Sequence, residues 1–419
     1  MPTVAYLANQ FPSSVEPYVV EEIEELRRCG TVVIAGSIRP AESGRQPASG
    51  KETSVLCVQP IRWIVLLKAL GLMVTRWGRI SRIVKRALWH GEEPASRRAK
   101  ALLHSWLGAY YALSLEEHGV QHIHVHHGYF GSWVGMVAAA LLDVGFSFTL
   151  HGSDLLIQKA YIDTKLEHCK FCVTISEYNR RHLLEHFPAS RGRRIVVSRM
   201  GVDAKRMRTP ASIRSGRFQL LTAGRLHPVK NHVFLIRACA QLRDAEMDFE
   251  CAIAGSGPER PRLERLIEEN NLQDRVRLLG HVPSSEMDLF YRSADLFVLT
   301  SLSEGIPLVL MEAMACGTLV LAPEITGIPE LVIAGRGGFL YEAGNLRDFV
   351  GWIFFAERLI RDKGGSGRRM QWIRHAAQVQ VRRNFNRREN MARYADRFLR
   401  LITGKDGSLH REDSVLQQI

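Results

Sequence analysis

Two glutamates eight residues apart, Glu304 and Glu312, stand in the segment Ser301–Gly317, where an apolar run ending at Thr300 gives way to a helical stretch. Pro307 fits the first turn of that helix and Gly317 the position just past its end. Glu304 is therefore expected in the turn and Glu312 in mid-helix. Backbone N–H groups at Gly305, Ile306 and Leu308, with Pro307 contributing none, would form an anion site reinforced by the helix dipole. A carboxylate in such a turn can accept hydroxyls, and one further along the helix can take a vicinal diol. A capping glutamate followed by an exposed helical one is the plainer reading of the same residues.

The second segment, Leu220 to Asn231, runs from an apolar strand into a turn that begins at Gly224 and carries Arg225 and Lys230. The arginine can grip phosphate oxygens in a fork and the lysine adds a point charge. With the helix start above, they suit a diphosphate held without a metal; two solvated cations are the alternative. Neither segment matches a Walker loop or the G-x-G-x-x-G fingerprint, and the chain holds no Asp-x-Asp pair to bridge a metal to a diphosphate.

These turns need strands and helices to hold them, and both halves alternate short apolar runs with helical stretches, the pattern of helix-covered parallel sheets. Candidate strands in the first half are Thr3–Ala8, Val32–Ser37, Val55–Val58, His122–His126, Phe146–Leu150, Phe171–Ser176 and Arg194–Ser198. In the second half they are Phe218–Ala223, Phe249–Ala254, Val276–Leu279, Asp295–Thr300, Thr318–Ala322 and Gly338–Tyr341. The fold class expected is α/β, two Rossmann-like doubly wound domains facing across a cleft. Residues 1–204 form the first domain, 205–217 a polar and basic linker, and 218–369 the second. Helices over 370–402 are expected to return toward the first domain, ahead of a loose tail at 403–419. In such sheets ligands bind at the carboxyl ends of strands.

The chain of 419 residues is 46% hydrophobic and 24% charged, which excludes disordered, collagenous and disulfide-scaffold classes. Seven scattered cysteines read as reduced thiols of a cytoplasmic protein. Met1 leads into a strand-like run too short for a signal sequence, and no uncharged apolar run reaches the ~18 residues of a membrane span. Residues 1–210 hold 27 Lys and Arg against 18 Asp and Glu, most of the net charge of +13. A basic first half implies an anionic partner, be it membrane, nucleic acid or a phosphorylated substrate.

Gly224-Arg225-Leu226 with Lys230, followed by Glu304-x7-Glu312, resembles the retaining nucleotide-sugar glycosyltransferases of family 4, which have the GT-B fold. The resemblance extends through Gly255-Ser256-Gly257-Pro258, Gly280-His281-Val282, Gly327-Ile328-Pro329-Glu330 and Ser198 to Asp203. In the first half His151-Gly152-Ser153-Asp154 looks like the family's donor-sugar histidine turn. Phe11-Pro12, with Glu16 and Tyr18 beyond, and His124-Val125-His126-His127-Gly128 are similar to its exopolysaccharide branch, the colanic-acid and amylovoran type. One position departs: Val15 stands where that branch has serine, with Ser14 one step earlier, on the acceptor side.

The resemblance implies that Arg225 and Lys230 hold the donor diphosphate and that Glu304 orients the donor sugar. It implies further that Glu312 binds the ribose hydroxyls, that backbone near His281 and Val282 meets the base, and that His151 lies near the reacting carbon. Glu16, Asp154 and the backbone of residues 305–308 join the substrate-binding set. It implies a metal-independent, retaining transfer of a hexosyl unit from a UDP- or GDP-linked sugar, with no cofactor, to a lipid-linked oligosaccharide. Front-face displacement, helped by the leaving phosphate, is the implied mechanism.

Four histidines, His122, His124, His126 and His127, have the look of a metal cluster. On a strand, however, the first three share a face and no carboxylate accompanies them, which favours packing or acceptor contact. Cys169-x-x-Cys172 has redox spacing but no second pair, and reads as buried thiols. Residues 61–91 carry seven cations and no acidic residue, beside Trp63, Leu66, Leu67, Leu70, Trp77 and other apolar side chains. That is the composition of an interfacial helix on anionic lipid, or of a domain helix with a basic face. Lipid contact there would place a cytoplasmic enzyme peripherally at the inner face of the membrane. Competing readings are an epimerase or phosphorylase of the same fold, and a basic binding protein for membrane or nucleic acid. The last leaves Glu304, Glu312, Arg225 and Lys230 unexplained, so nucleic acid is not expected as a partner.

Overall fold

A computed structural model describes residues 1–13, 16–40, 55–89, 93–156, 160–203, 216–361 and 366–404. Val15, most of the expected linker and nearly all of the expected tail lie outside the described residues. Two sheets organise the chain, and every strand pair in both is parallel. Strands covered on both faces are mostly apolar, which is why most runs in the sequence are continuous rather than alternating, the run His122–His126 with its three buried histidines being the exception.

The first sheet comprises β1 (Thr3–Gln10), β2 (Val32–Arg39), β3 (Leu56–Cys57), β4 (His122–His126), β5 (Gly145–Leu150), β6 (Phe171–Thr174) and β7 (Arg194–Val197). Its order is β3-β2-β1-β4-β5-β6-β7. The second comprises β8 (Phe218–Ala223), β9 (Phe249–Ala254), β10 (Val276–Gly280), β11 (Leu296–Val298), β12 (Leu319–Pro323) and β13 (Phe339–Tyr341), ordered β10-β9-β8-β11-β12-β13. Each order reverses once, between β1 and β4 and between β8 and β11. Both sheets are therefore doubly wound, and each has its ligand crevice where the order reverses.

The chain divides into two compact units. The first holds residues 1–175, 179–198 and those from 391 onward; the second holds 176–178 and 199–390. Helix Ser366–Asn384 packs in the second unit through Met370, Ile373, Ala377 and Val381. Tyr394, Ala395, Phe398 and Leu401, on helix Arg387–Thr403, join a core of the first unit instead. The stretch 370–402 is thus shared between the two units.

β4 shows how the first sheet is covered. Ile123 and Val125 point into one apolar cluster. His122, His124 and His126 point the other way, among Tyr6, Phe171, Tyr394 and Phe398. The rings are buried and satisfied by protein: His122 Nε2 and His124 Nδ1 each lie 2.7 Å from Ser147 Oγ, and His124 Nε2 lies 3.0 Å from Thr149 Oγ1. Packing is what His122 and His124 do. Burial first, then repulsion from Lys170, pushes His122 down to about 3, so it stays neutral. Cys169 and Cys172 are buried free thiols, and burial pushes both upward.

The basic stretch splits into two helices with different fates. On helix Trp63–Thr75 only Leu66 and Ala69 are buried, while Trp63, Ile64, Leu67 and Val74 are 66–77% exposed. Helix Trp77–Trp89 instead buries its apolar stripe, Ile80, Ile83, Val84 and Ala87. Three cations expected to face lipid are engaged by carboxylates: Arg76 with Glu116, Arg79 with Asp143, and Arg86 with Asp163 and Glu93. The exposed apolar side chains of this stretch therefore gather mainly on the first helix, and the second packs as a domain helix. Among the described residues no helix is long and apolar enough to cross a membrane.

Candidate functional site

In the second unit the two strands flanking the reversal, β8 and β11, deliver the expected residues at their carboxyl ends. Beyond β8 the backbone turns through Gly224 to Leu226, whose side chain is fully buried, and so leaves Arg225 exposed. This turn lies directly on the one after β9. Gly224 N–H donates to the Ala254 carbonyl and Leu226 N–H to the Ser256 carbonyl, both at 2.9 Å. A Cβ on Gly255, at φ +149°, would fall 1.8 Å from the Gly224 carbonyl oxygen, and one on Gly257 2.4 Å from that of Leu226. The Gly-Ser-Gly spacing is thus a condition for the Arg225 turn to exist.

Lys230 closes a short 3₁₀ turn, Pro228–Lys230, and its carbonyl accepts a hydrogen bond from Thr300 Oγ1 at 3.0 Å. Leu302 N–H donates to the Val229 carbonyl at 2.8 Å, tying the two strand ends together. The Lys230 ammonium meets Glu304 Oε1 at 2.5 Å, with both side chains largely buried. Thr326 Oγ1 donates to the Glu304 carbonyl at 2.6 Å and fixes that turn from the β12 side.

Helix Leu308–Ala315 follows, with Pro307 at its cap rather than within its first turn, and Gly317 just past its end at φ +74°. In its first turn the Leu310 N–H donates to the Pro307 carbonyl at 3.2 Å, and helix geometry gives the N–H groups of Leu308 and Val309 no acceptor within the helix. Glu312 is half-buried in the helix and accepts the Tyr291 hydroxyl at 2.8 Å. His281 and Val282 follow β10, the edge strand two places from β8; His281 is exposed and Val282 half-buried. The structure therefore joins Lys230 to Glu304 directly, sets Arg225 at the end of β8 and His281 and Val282 at the end of β10, and places Glu312 within the helix that follows β11. The Glu330 carboxylate of the Gly327–Glu330 motif accepts the N–H groups of Glu177 and Tyr178 and pairs with Arg199, a structural role.

In the first unit the reversal lies between β1 and β4, and the same rule places Glu16, His127 and His151 beyond β1, β4 and β5. Asp154 organises this turn. One oxygen accepts the N–H groups of His151 and Gly152 at 3.0 and 2.9 Å, and the other that of Gly128 at 2.8 Å. It is fully buried and shapes the turn that carries His151.

His127 Nε2 lies 2.6 Å from Glu16 Oε1, and its Nδ1 3.4 Å from Asp154. Burial pushes this imidazole down, but hydrogen bonds and charges from Asp154 and Glu16 outweigh it and raise it to about 9. Burial would raise both carboxyls as well, yet His127 holds each below its ordinary range. The result is a buried carboxylate–imidazolium–carboxylate row. His151 is neutral: burial, then repulsion from His127 and His126, keeps it well below its ordinary value. Its Nε2 lies 3.1 Å from His126 Nδ1, and the Tyr18 and His127 rings pack against it at 5.0 and 4.5 Å.

Two features were not singled out from sequence. The Glu22–His126 pair behind His151, at 2.8 Å, is one. Glu22 is hidden in a helix whose acidic residues read as solvated, although its spacing from buried Val19, Ile23 and Leu26 places it near the core stripe. The other is a cavity of about 430 Å³ lined by Arg97, Lys100, His104, Tyr129, Trp133 and Lys165, among others, with no acidic side chain among the described residues that line it. The fully buried Lys165 ammonium donates to the carbonyls of Gly128, Tyr129 and Ala160. Burial lowers it to about 7, against the pull of Asp154 and Asp163.

Comparison with known proteins followed the same division. Residues 203–378 match the family described as glycosyl transferases group 1, and residues 15–206 match glycosyltransferase family 4. WcaL of Escherichia coli, by name a colanic acid biosynthesis glycosyltransferase, is 38% identical over 161 residues, 37% of this chain and 40% of that protein. The amylovoran biosynthesis glycosyltransferase AmsK of Erwinia amylovora is 35% identical over 161 residues, 36% of this chain and 39% of its own. The matched stretch thus spans about 40% of the length of these curated relatives. Among solved structures, Anabaena HepE in complex with UDP covers 95% of this chain and 100% of its own at 18% identity, with a TM-score of 0.66.

Proposed function

We propose, from a chain that belongs to the GT-B glycosyltransferases, with a family 4 domain over residues 15–206 and a group 1 domain over 203–378, that it moves a hexosyl unit from a nucleotide sugar to a growing oligosaccharide in exopolysaccharide biosynthesis. The observation that carries this reading is the Lys230–Glu304 pair at the reversal of the second sheet, with Glu312 on the helix that follows. A diphosphate arriving there would meet Lys230, Arg225 and the N–H groups of Leu308 and Val309 at the helix start, all positive. Those donors neutralise a leaving diphosphate without a metal, and none of them is a carboxylate that would hold one. Glu304, freed from Lys230 by the phosphate, would then accept hydroxyls of the sugar, while Glu312, oriented by Tyr291, would take the ribose diol.

UDP is present in the HepE structures, which supports a UDP-linked donor, with GDP as the other member of the class. Transfer with retention, through front-face displacement, completes the reading. A thermal-shift series with UDP, GDP, ADP and TDP tests it. One diphosphate at about a hundred times its dissociation constant is expected to stabilise the chain by ~2.7 kcal/mol. Glu312→Ala is expected to lose that response. No shift with any of the four would overturn the donor site.

A lipid-linked acceptor and a peripheral place at the membrane are part of the same proposal. The apolar face of helix Trp63–Thr75, with Arg62 and Lys68 beside it, supports a surface that rests on anionic lipid. The cationic cavity in the same unit suits the phosphate end of such an acceptor. Vesicles containing anionic lipid are expected to sediment the wild type at low salt but not a Trp63→Ser, Leu67→Ser double variant. Equal sedimentation of both would remove this helix from the interface.

A further inference from the structure

Helix Ala95–Leu115 carries Arg97, Lys100, Ala101 and His104 at i, i+3, i+4 and i+7, one face of a helix, and that face borders the cavity of about 430 Å³. We propose that this cavity seats the phosphate end of an acceptor carried on an apolar chain. The inference deepens the acceptor reading above and rests on it.

Charge is the first argument. Arg97 and Lys100 are exposed and pair with no carboxylate among the described residues, whereas Arg76, Arg79 and Arg86 of the basic stretch are each engaged by one. Lys165 gives its three hydrogens to the carbonyls of Gly128, Tyr129 and Ala160 at 2.6, 3.1 and 3.0 Å. It has none left for a ligand, and what it lends the cavity is charge. The two carboxylates that pull on it, Asp154 and Asp163, are themselves taken by His127 and Arg86. His104 is uncharged, because burial and then repulsion from Lys165 and Lys100 lower it to about 4. An anion among these groups would relieve that repulsion and offset the cost of burying the ammonium.

The walls say what the anion is attached to. A volume of about 430 Å³ lies within the ~300–1,000 Å³ of small-molecule sites. Beyond the cations the lining is aromatic: Tyr129, Phe130, Trp133 and Tyr161. The Trp133 and Tyr161 rings lie 4.7 Å apart, and His104 stacks on Phe130 at 4.9 Å. Trp133 spends its indole N–H on Ser105 at 2.9 Å, so it offers a ligand only apolar surface. Free phosphate gains nothing from such walls, whereas a phosphate on a hydrocarbon chain gains from both.

The same helix connects two surfaces that such an acceptor needs. Trp106 on it donates to the Leu66 carbonyl at 2.8 Å, so it backs helix Trp63–Thr75 with its exposed apolar side chains. On the other side, Gly128 accepts from Lys165 and gives its own N–H to Asp154, which shapes the His151 turn. One residue thus separates the cavity from that turn.

Calorimetric titration of the full chain tests this with three probes: farnesyl diphosphate, farnesol as the chain without phosphate, and inorganic pyrophosphate as the phosphate without chain. Farnesyl diphosphate is expected to bind about tenfold or more tightly than either of the others. An Arg97→Gln, Lys100→Gln double variant, altered only at exposed positions, is expected to lose about tenfold in that affinity. Its thermal-shift response to UDP is expected to stay that of the wild type, which separates the cavity from the donor site. Binding of this pattern in a chain that never responds to UDP would remove the donor reading and still support the cavity. Equal affinity for farnesol and farnesyl diphosphate, or an unaltered affinity in the double variant, overturns the proposal. Pyrophosphate bound as tightly as farnesyl diphosphate would assign the cavity to free phosphate and overturn the lipid-linked acceptor there. A ¹⁵N-histidine spectrum of the wild type supplies a readout that needs no variant to fold. His104 is expected to titrate at higher pH with farnesyl diphosphate bound, and an unmoved His104 overturns the assignment to this cavity.

Discussion

Lys230→Ala is expected to lower turnover by about 10³-fold, the scale on which preorganised donors to developing charge act. The midpoint of unfolding is expected to change far less. Lys230 is placed by backbone contacts on either side of it: its carbonyl accepts from Thr300, and Val229 accepts from Leu302. None of these needs the ammonium, so the turn survives its removal. What goes is a cation held at the site before the substrate arrives, paired there with Glu304 at 2.5 Å. Removing it takes a positive charge from the leaving diphosphate and leaves Glu304 to repel that same diphosphate. The two losses act in one direction, which is why the lysine should matter more than exposed Arg225. Steady-state turnover with the matched nucleotide sugar, alongside a thermal melt, checks this. Turnover within tenfold of wild type would remove Lys230 from the donor site.

The second unit was the more legible of the two because its chemistry sits on local signals. A strand, a glycine turn and a cation five residues on are contiguous in sequence, and Glu304 with Glu312 lies on one turn-to-helix passage. All thirteen candidate strands are present, with ends shifted by at most two residues: Asp295 and Thr300, the outer residues of one run, fall outside the ladder, and β1 and β2 run two residues further. The first unit was less legible because its polar groups meet only through the sheet. Parallel pairing of β1 with β4 sets Tyr6 beside His124 in register, and no spacing in the sequence announces that a residue at 22 lies behind one at 126. Asp154 was visible as a motif, but its burial was not. A carboxylate followed by an apolar stretch reads equally as a ligand or as a cap, and only the three N–H groups turned toward it decide for the cap. The basic stretch misled for a related reason: amphipathic helices packed on protein and on lipid have the same composition, and only tertiary neighbours such as Glu116 and Asp163 tell them apart.

Asp154→Ala is expected to destabilise the chain by about 3–5 kcal/mol, the cost of removing one partner from a buried ion pair. The carboxylate accepts three backbone N–H groups and lies beside His127, and alanine leaves all four without it. The loss should depend on pH, with a definite sign. His127 titrates near 9 in the folded chain, above its ordinary 6.5, so the stability it contributes is whole below about 6.5 and is lost as pH rises toward 9. Converted at 1.36 kcal/mol per unit, that contribution is about 3 kcal/mol at most. Asp154 is shifted the other way, so its own share is present above its ordinary 3.8 and vanishes only in strong acid. Lys165 acts in both curves. Lowered from 10.5 to about 7, chiefly by burial, it makes stability rise with pH across the interval where His127 makes it fall. The difference between wild type and variant carries the attraction of Asp154 for both cations, and it narrows with pH because each attraction weakens as its cation is neutralised. Urea unfolding at pH 6.5 and pH 9 is therefore expected to show a wide gap between the two proteins at the lower pH and a narrower one at the higher. A gap below about 1 kcal/mol, equal at both, would mean that the row of Glu16, His127 and Asp154 is not what holds the His151 turn in place.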